Sequence, residues 1–217
     1  MTSDRFDRFL PLAGVLAGLL FITGLFLLRD DPSNEAGPAK TFAYWNADKG
    51  QHQIIGLIVT PVIAFLLLFF AAGLKRRLER GSDSAHGTVA FGGALFAAVT
   101  FALVGMLEAA MTSAAKEGQQ GAVYTLNQLH SYDWLAWNAG FAALLLATGL
   151  GARRNGMLPG PVAWLTIVVG ASLLTPIGFF GFILLPFWLI VVGLLLGRSE
   201  TARAGVPQSV VSYASQA

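Results

Sequence analysis

Apolar residues lie along the 217-residue chain in long blocks, not at the spacing of an amphipathic surface helix. Four blocks, at about 9–28, 53–74, 88–111 and 133–151, match one helical crossing of a bilayer. Such a crossing covers about 30 Å of hydrocarbon and takes roughly 20 residues. A further run, Pro161–Leu196, is almost uninterrupted over 36 residues, too many for one crossing and enough for two. Inside it, Thr175-Pro176-Ile177-Gly178 carries turn chemistry, because proline removes a helix donor and glycine loosens the backbone. The pattern predicts an all-α bundle of six transmembrane helices, the last two at 161–177 and 179–197. Residues 1–198 form this membrane domain, and the polar stretch 199–217 is expected as a disordered cytoplasmic tail.

The first block has an apolar core longer than the roughly 7–15 residues of a signal peptide. Arg29-Asp30-Asp31-Pro32 follows it in place of a small-residue cleavage site, so it reads as a retained helix. Direction follows from the basic residues, which favour the cytoplasmic side. Arg5 and Arg8, the group Lys75, Arg76, Arg77 and Arg80, the pair Arg153 and Arg154, and Arg198 with Arg203 share one face of a six-span chain. Only Arg29, Lys40, Lys49 and Lys116 fall on the other. This asymmetry predicts a plasma-membrane protein with both termini cytoplasmic.

Composition agrees with that reading. Hydrophobic residues make up 55% of the chain and charged residues 12%, against about 25% charged in ordinary soluble domains. That excludes a disordered chain, a nucleic-acid binder and a water-soluble enzyme. The net charge of +2 is too small to matter as a total. Without cysteine there are no disulfides, thiolate metal sites, iron–sulfur clusters or covalent haem. P-loop, dinucleotide, nucleophile-elbow and H-E-x-x-H patterns are also missing, so no catalytic residue is assigned.

Two segments between spans are long: about 29–52 and 112–132, both on the outer face. Within the second, residues 122–129 place apolar side chains at helical spacing, as in a short helix lying on the membrane surface. Small residues at Gly14-x-x-x-Gly18 and Gly193-x-x-x-Gly197 suit close helix contact, either between copies of the chain or within one bundle. Gly92, Gly93 and Ala97 suit it too. Pro61 and Pro186 lie inside spans and predict kinks.

Glu108, near the outer end of the third span, is the ionisable residue that needs explaining. A carboxylate at the bilayer centre costs on the order of 2.5–3.5 kcal/mol, less toward the ends, so Glu108 either snorkels to the headgroups or turns inward. Asp48 and His52, four residues apart, open the second span. Asn127, His130, Trp134 and Asn138 form a stripe on a continuous helix, with Asp133 beside them. Topology brings Asp48, His52, Glu108, His130 and Asp133 to one level. Three chemistries use such groups: a metal site on His52, His130, Glu108 and Asp133, a haem held between His52 and His130, or a proton relay. The plainer alternative is an interfacial aromatic and polar belt of Tyr44, Trp45, Tyr132, Trp134 and Trp137. His86, in the loop 81–87, is expected to be solvated.

Three stretches carry a resemblance. They are Phe65-Leu66-Leu67-Leu68-Phe69-Phe70-Ala71-Ala72-Gly73-Leu74-Lys75-Arg76-Arg77-Leu78, Thr88-Val89-Ala90-Phe91-Gly92-Gly93-Ala94-Leu95-Phe96, and Gly156-Met157-Leu158-Pro159-Gly160-Pro161-Val162-Ala163-Trp164-Leu165. Through them the chain resembles a family of uncharacterised bacterial multi-span membrane proteins. The resemblance implies a helical multi-span plasma-membrane protein and supplies no activity or catalytic residue to carry over. The long outer segments and the aromatic belt, with no catalytic motif, set the expectation of a non-enzymatic protein, without cofactor, that binds a lipid, a small hydrophobic solute or a partner membrane protein (a second copy included) through its outer half. A membrane enzyme or redox protein and a proton-coupled transporter using Glu108 are the alternatives.

Overall fold

The computed structural model describes residues 3–27, 36–47, 49–80 and 85–204. Every element among them is helical. In chain order these are α1 (Ser3–Leu27), α2 (Pro38–Ala47), α3 (Lys49–Ile54), a π turn (Ile55–Val59), α4 (Thr60–Leu78), α5 (His86–Lys116), α6 (Gln120–His130), α7 (Trp134–Asn155), α8 (Gly160–Ser172) and α9 (Gly178–Ala204).

Five helical stretches are long and apolar enough to cross a membrane: Phe9–Leu27, Gly50–Leu78, His86–Lys116, Gln120–Asn155 and Gly178–Arg198. They coincide with five of the six expected spans. The expected span 161–177 is shorter, because α8 has 13 residues and rises only about 20 Å. Its end comes at the Thr175-Pro176-Ile177-Gly178 turn, where the sequence placed one. The apolar span of the last helix ends at Arg198, at the expected boundary of the membrane domain, although the helix itself is longer. α9 continues to Ala204, and residues 205–217 lie outside the described part.

α5 is the central helix, packed on α4 and α7, while α1 lies against α4 and α9 and α8 against α7. Glycine sets these distances. A Cβ on Gly140 would lie 2.6 Å from Ala97 N, and one on Gly93 2.7 Å from Gly140 O, so α5 and α7 touch backbone to backbone. Gly92 faces open space and plays no such part. Gly14 receives the Phe70 ring, and a Cβ on Gly18 would meet Pro186 O at 2.5 Å, one on Gly193 Pro11 O at 2.7 Å. At Gly197 it would find only Pro11 Cβ, at 4.0 Å. The first three expected packing glycines are therefore used within one chain, between α1, α4 and α9, so the bundle needs no second copy to fill them.

Polar contacts supplement this packing. Arg77, buried near the end of α4, donates through Nη1 to Leu196 O at 2.8 Å and ties that end to α9. Trp188 Nε1 donates to Thr166 Oγ1 at 2.8 Å between α9 and α8. His86, expected in a solvated loop, is the first residue of α5 and lies close to Gly151.

The outward faces are apolar. Leu19, Leu57, Met106, Val168 and Leu194 are each half-exposed or more. An apolar exterior of this extent is compatible with a multi-pass membrane protein and costly in water.

Candidate functional site: a capped amphipathic cavity

The described parts of the two long inter-span segments, chiefly α2 and α6, fold over one end of the bundle. α2 packs on α6 and α5, and α6 on α5. Their contact has its own small core of Trp45, Met111, Ala114, Ala115 and Val123, separate from the main core between the long helices. Trp45 is 1% exposed, and its Nε1 donates to Asn127 Oδ1 at 2.8 Å. It is thus a buried latch between α2 and α6, where the sequence suggested an interfacial belt residue. Tyr132 and Trp134 remain exposed, and Trp137 is half-buried. α6 itself matches the short helix expected over 122–129.

Beneath this cap lies a cavity of about 330 Å³. Its apolar wall is a closed cycle of four rings from four helices. Phe21 of α1 contacts Phe101 of α5 (centroids 5.3 Å apart), and Phe101 contacts Trp137 of α7 (5.5 Å). Trp137 contacts Phe182 of α9 (4.0 Å), which returns to Phe21 (5.0 Å). Leu25, Val59, Ile63 and Val104 extend this wall. The polar residues of the same lining are Thr60, Glu108, Asn127, His130, Ser131 and Asp133.

Glu108 turns inward. It is 2% exposed, so the snorkelling alternative does not describe it. Its seat is made by the π turn. Pro61 lacks an N–H and crowds the carbonyl one turn earlier; just ahead of it the helix widens, with Thr60 N–H bonded to Ile55 O. Gly56, inside that turn, lets α5 close in. A Cβ there would lie 2.8 Å from Gly105 O and 3.0 Å from Glu108 Oε2. At Pro61, where the sequence predicts a kink, the structure has this widened turn just ahead of the proline.

His130 and Asp133 flank the break between α6 and α7. His130 Nδ1 lies 2.6 Å from Asp133 Oδ2, and Trp137 Nε1 donates to Asp133 Oδ1 at 3.2 Å. The helix expected to run unbroken through the stripe is interrupted at Ser131–Asp133, which sets both side chains at the cavity. Asn127, His130 and Trp134 of that stripe line it. Asn138 does not; it is buried beside Gly178. His52 is also absent from the lining. Its imidazole packs on Tyr44 (4.8 Å) and Trp45 (4.6 Å), and His130 meets the edge of the same indole at 6.1 Å. Trp45 thus fills the space beside both rings, where a haem between the second and fourth spans would need room. Asp48 lies outside the described residues. Among the described residues no three His, Asp or Glu side chains gather as a metal site.

The cavity therefore unites Glu108, His130 and Asp133, while His52 and Asn138 occupy neighbouring buried positions. Sequence reasoning missed the aromatic cycle, because Phe21, Phe101 and Phe182 look like any lipid-facing residue of an apolar block. No known protein family, curated protein or solved structure matches the chain.

Proposed function

We propose that this is a polytopic plasma-membrane protein of six crossings, both termini cytoplasmic, that binds a small amphipathic molecule in the capped cavity without chemical conversion. The observation that carries the reading is that one cavity gathers four aromatic rings together with a small set of polar side chains. Small-molecule sites are mostly apolar clefts with a few placed polar groups, and about 330 Å³ is the size of a small one. The uneven spread of lysine and arginine supports the orientation, which puts the cap outside. In that arrangement α8 and its flanking turns make the fifth crossing.

Gly24 provides the test. It lines the cavity, and among the described residues a Cβ there would meet only Val59 Cγ1, at 4.0 Å. A leucine side chain at this position enters the cavity without disturbing the backbone. Protein extracted from native membrane is expected to retain a defined small molecule or lipid by native mass spectrometry, and Gly24→Leu is expected to lose it. Equal retention by both proteins refutes the cavity as the binding site. A second reading, proton-coupled transport, has one observation in its favour: Glu108 is buried at the cavity between spans. It requires Glu108→Gln to abolish flux with expression intact.

A further inference from the structure

We infer that the molecule this cavity takes carries an ammonium group on an apolar body; the inference rests on reading the cavity as a binding site. Two independent features select the charge. The cavity lining holds two carboxylates, Glu108 from α5 and Asp133 from the α6–α7 break, the latter paired with the His130 imidazole at 2.6 Å, and among the described residues no lysine or arginine lines it. The same lining holds the rings of Phe21, Phe101, Trp137 and Phe182, and aromatic rings attract organic cations. An ammonium head is therefore attracted both by the carboxylates and by the rings, and its alkyl or aryl body matches the apolar part of the lining. A carboxylate or phosphate in the same place meets the Glu108 carboxylate, with no lysine or arginine of the described lining to offset it. A neutral alcohol gains the hydrogen bonds alone.

The ammonium has two sources, an aminolipid headgroup and a free lipophilic amine. Both are distinguished by experiment. Purified full-length protein in neutral maltoside micelles is dialysed to equilibrium against decylamine, decanol or decanoate at pH 7, with empty micelles as blank. Decylamine is expected to bind at least tenfold more tightly than decanol, and decanoate not above the blank. Glu108→Gln and Asp133→Asn are each expected to bring decylamine within about threefold of decanol while leaving decanol unchanged. Either variant suffices should the other fail to fold. Gly24→Leu is expected to weaken decylamine and decanol together. Equal binding of amine and alcohol, or binding of decanoate, overturns the charge preference, and the cavity reading stands if Gly24→Leu still abolishes binding. Amine binding untouched by Gly24→Leu overturns both.

In bilayers of phosphatidylethanolamine and phosphatidylglycerol, retention of the ethanolamine lipid that is lost in Glu108→Gln assigns the aminolipid source. Retention of neither lipid, with decylamine still bound, assigns the free amine. Preferential retention of phosphatidylglycerol overturns the inference.

Discussion

Trp45 offers the sharpest test of how the cap is held. It is 1% exposed, sits at the centre of the small core between α2, α5 and α6, and donates its one polar hydrogen to Asn127. Trp45→Ala removes the whole side chain from a packed site, a change that costs about 3–5 kcal/mol. Trp45→Phe keeps most of the ring and removes the N–H, leaving Asn127 Oδ1 buried without that donor, a cost of about 1–3 kcal/mol. Because α2 joins the rest of the fold mainly through this core, the loss falls on the cap and not on α4, α5 or α7. The assay is amide hydrogen exchange of protein in nanodiscs. Trp45→Ala is expected to lower protection across Pro38–Ala47 at least a hundredfold, the equivalent of about 3 kcal/mol. Trp45→Phe gives a smaller loss at the same amides, and added Asn127→Ala changes it little, because both mutations delete one hydrogen bond. Unchanged exchange in α2, or an equal rise throughout α4 and α5, would refute the latch.

Other outcomes follow from the same geometry. Gly140→Leu places side-chain atoms into the Ala97 backbone and is expected to prevent stable folding, whereas Gly92→Leu, facing open space, leaves the thermal midpoint within about two degrees; comparable losses would remove the close α5–α7 contact as the cause. Thr166→Val deprives the Trp188 indole of its acceptor and is expected to cost about 0.6–2 kcal/mol in a bilayer unfolding assay; no change would show that the hydrogen bond is not a net contributor. A reporter fused after Ala217 is expected to read as cytoplasmic, as a six-crossing chain with a cytoplasmic N-terminus requires. An exterior reading would leave α8 outside the span count.

Much of this molecule is written in local pattern. The five long helices, the turn at 173–177, the short helix α6 and the small-residue contacts of Gly14, Gly18 and Gly193 all follow from block length, turn chemistry and spacing. These properties depend on each segment alone: an apolar run of about 20 residues must satisfy its backbone internally whatever its neighbours do. The level of Glu108, His130 and Asp133 was legible too, since alternating helices bring every second end together.

Direction of side chains was not legible. Whether Glu108 faces lipid or core, whether Trp45 lies in a headgroup layer or a buried latch, and which of many phenylalanines form the four-ring wall all depend on how helices rotate against one another. A helix that is apolar all round marks no face for the core, so its rotation leaves no trace in the order of its residues. Tertiary packing settles it through contacts far apart in the chain: Gly56 against Gly105, which seats Glu108, and Trp45 against Asn127, which closes the cap over it.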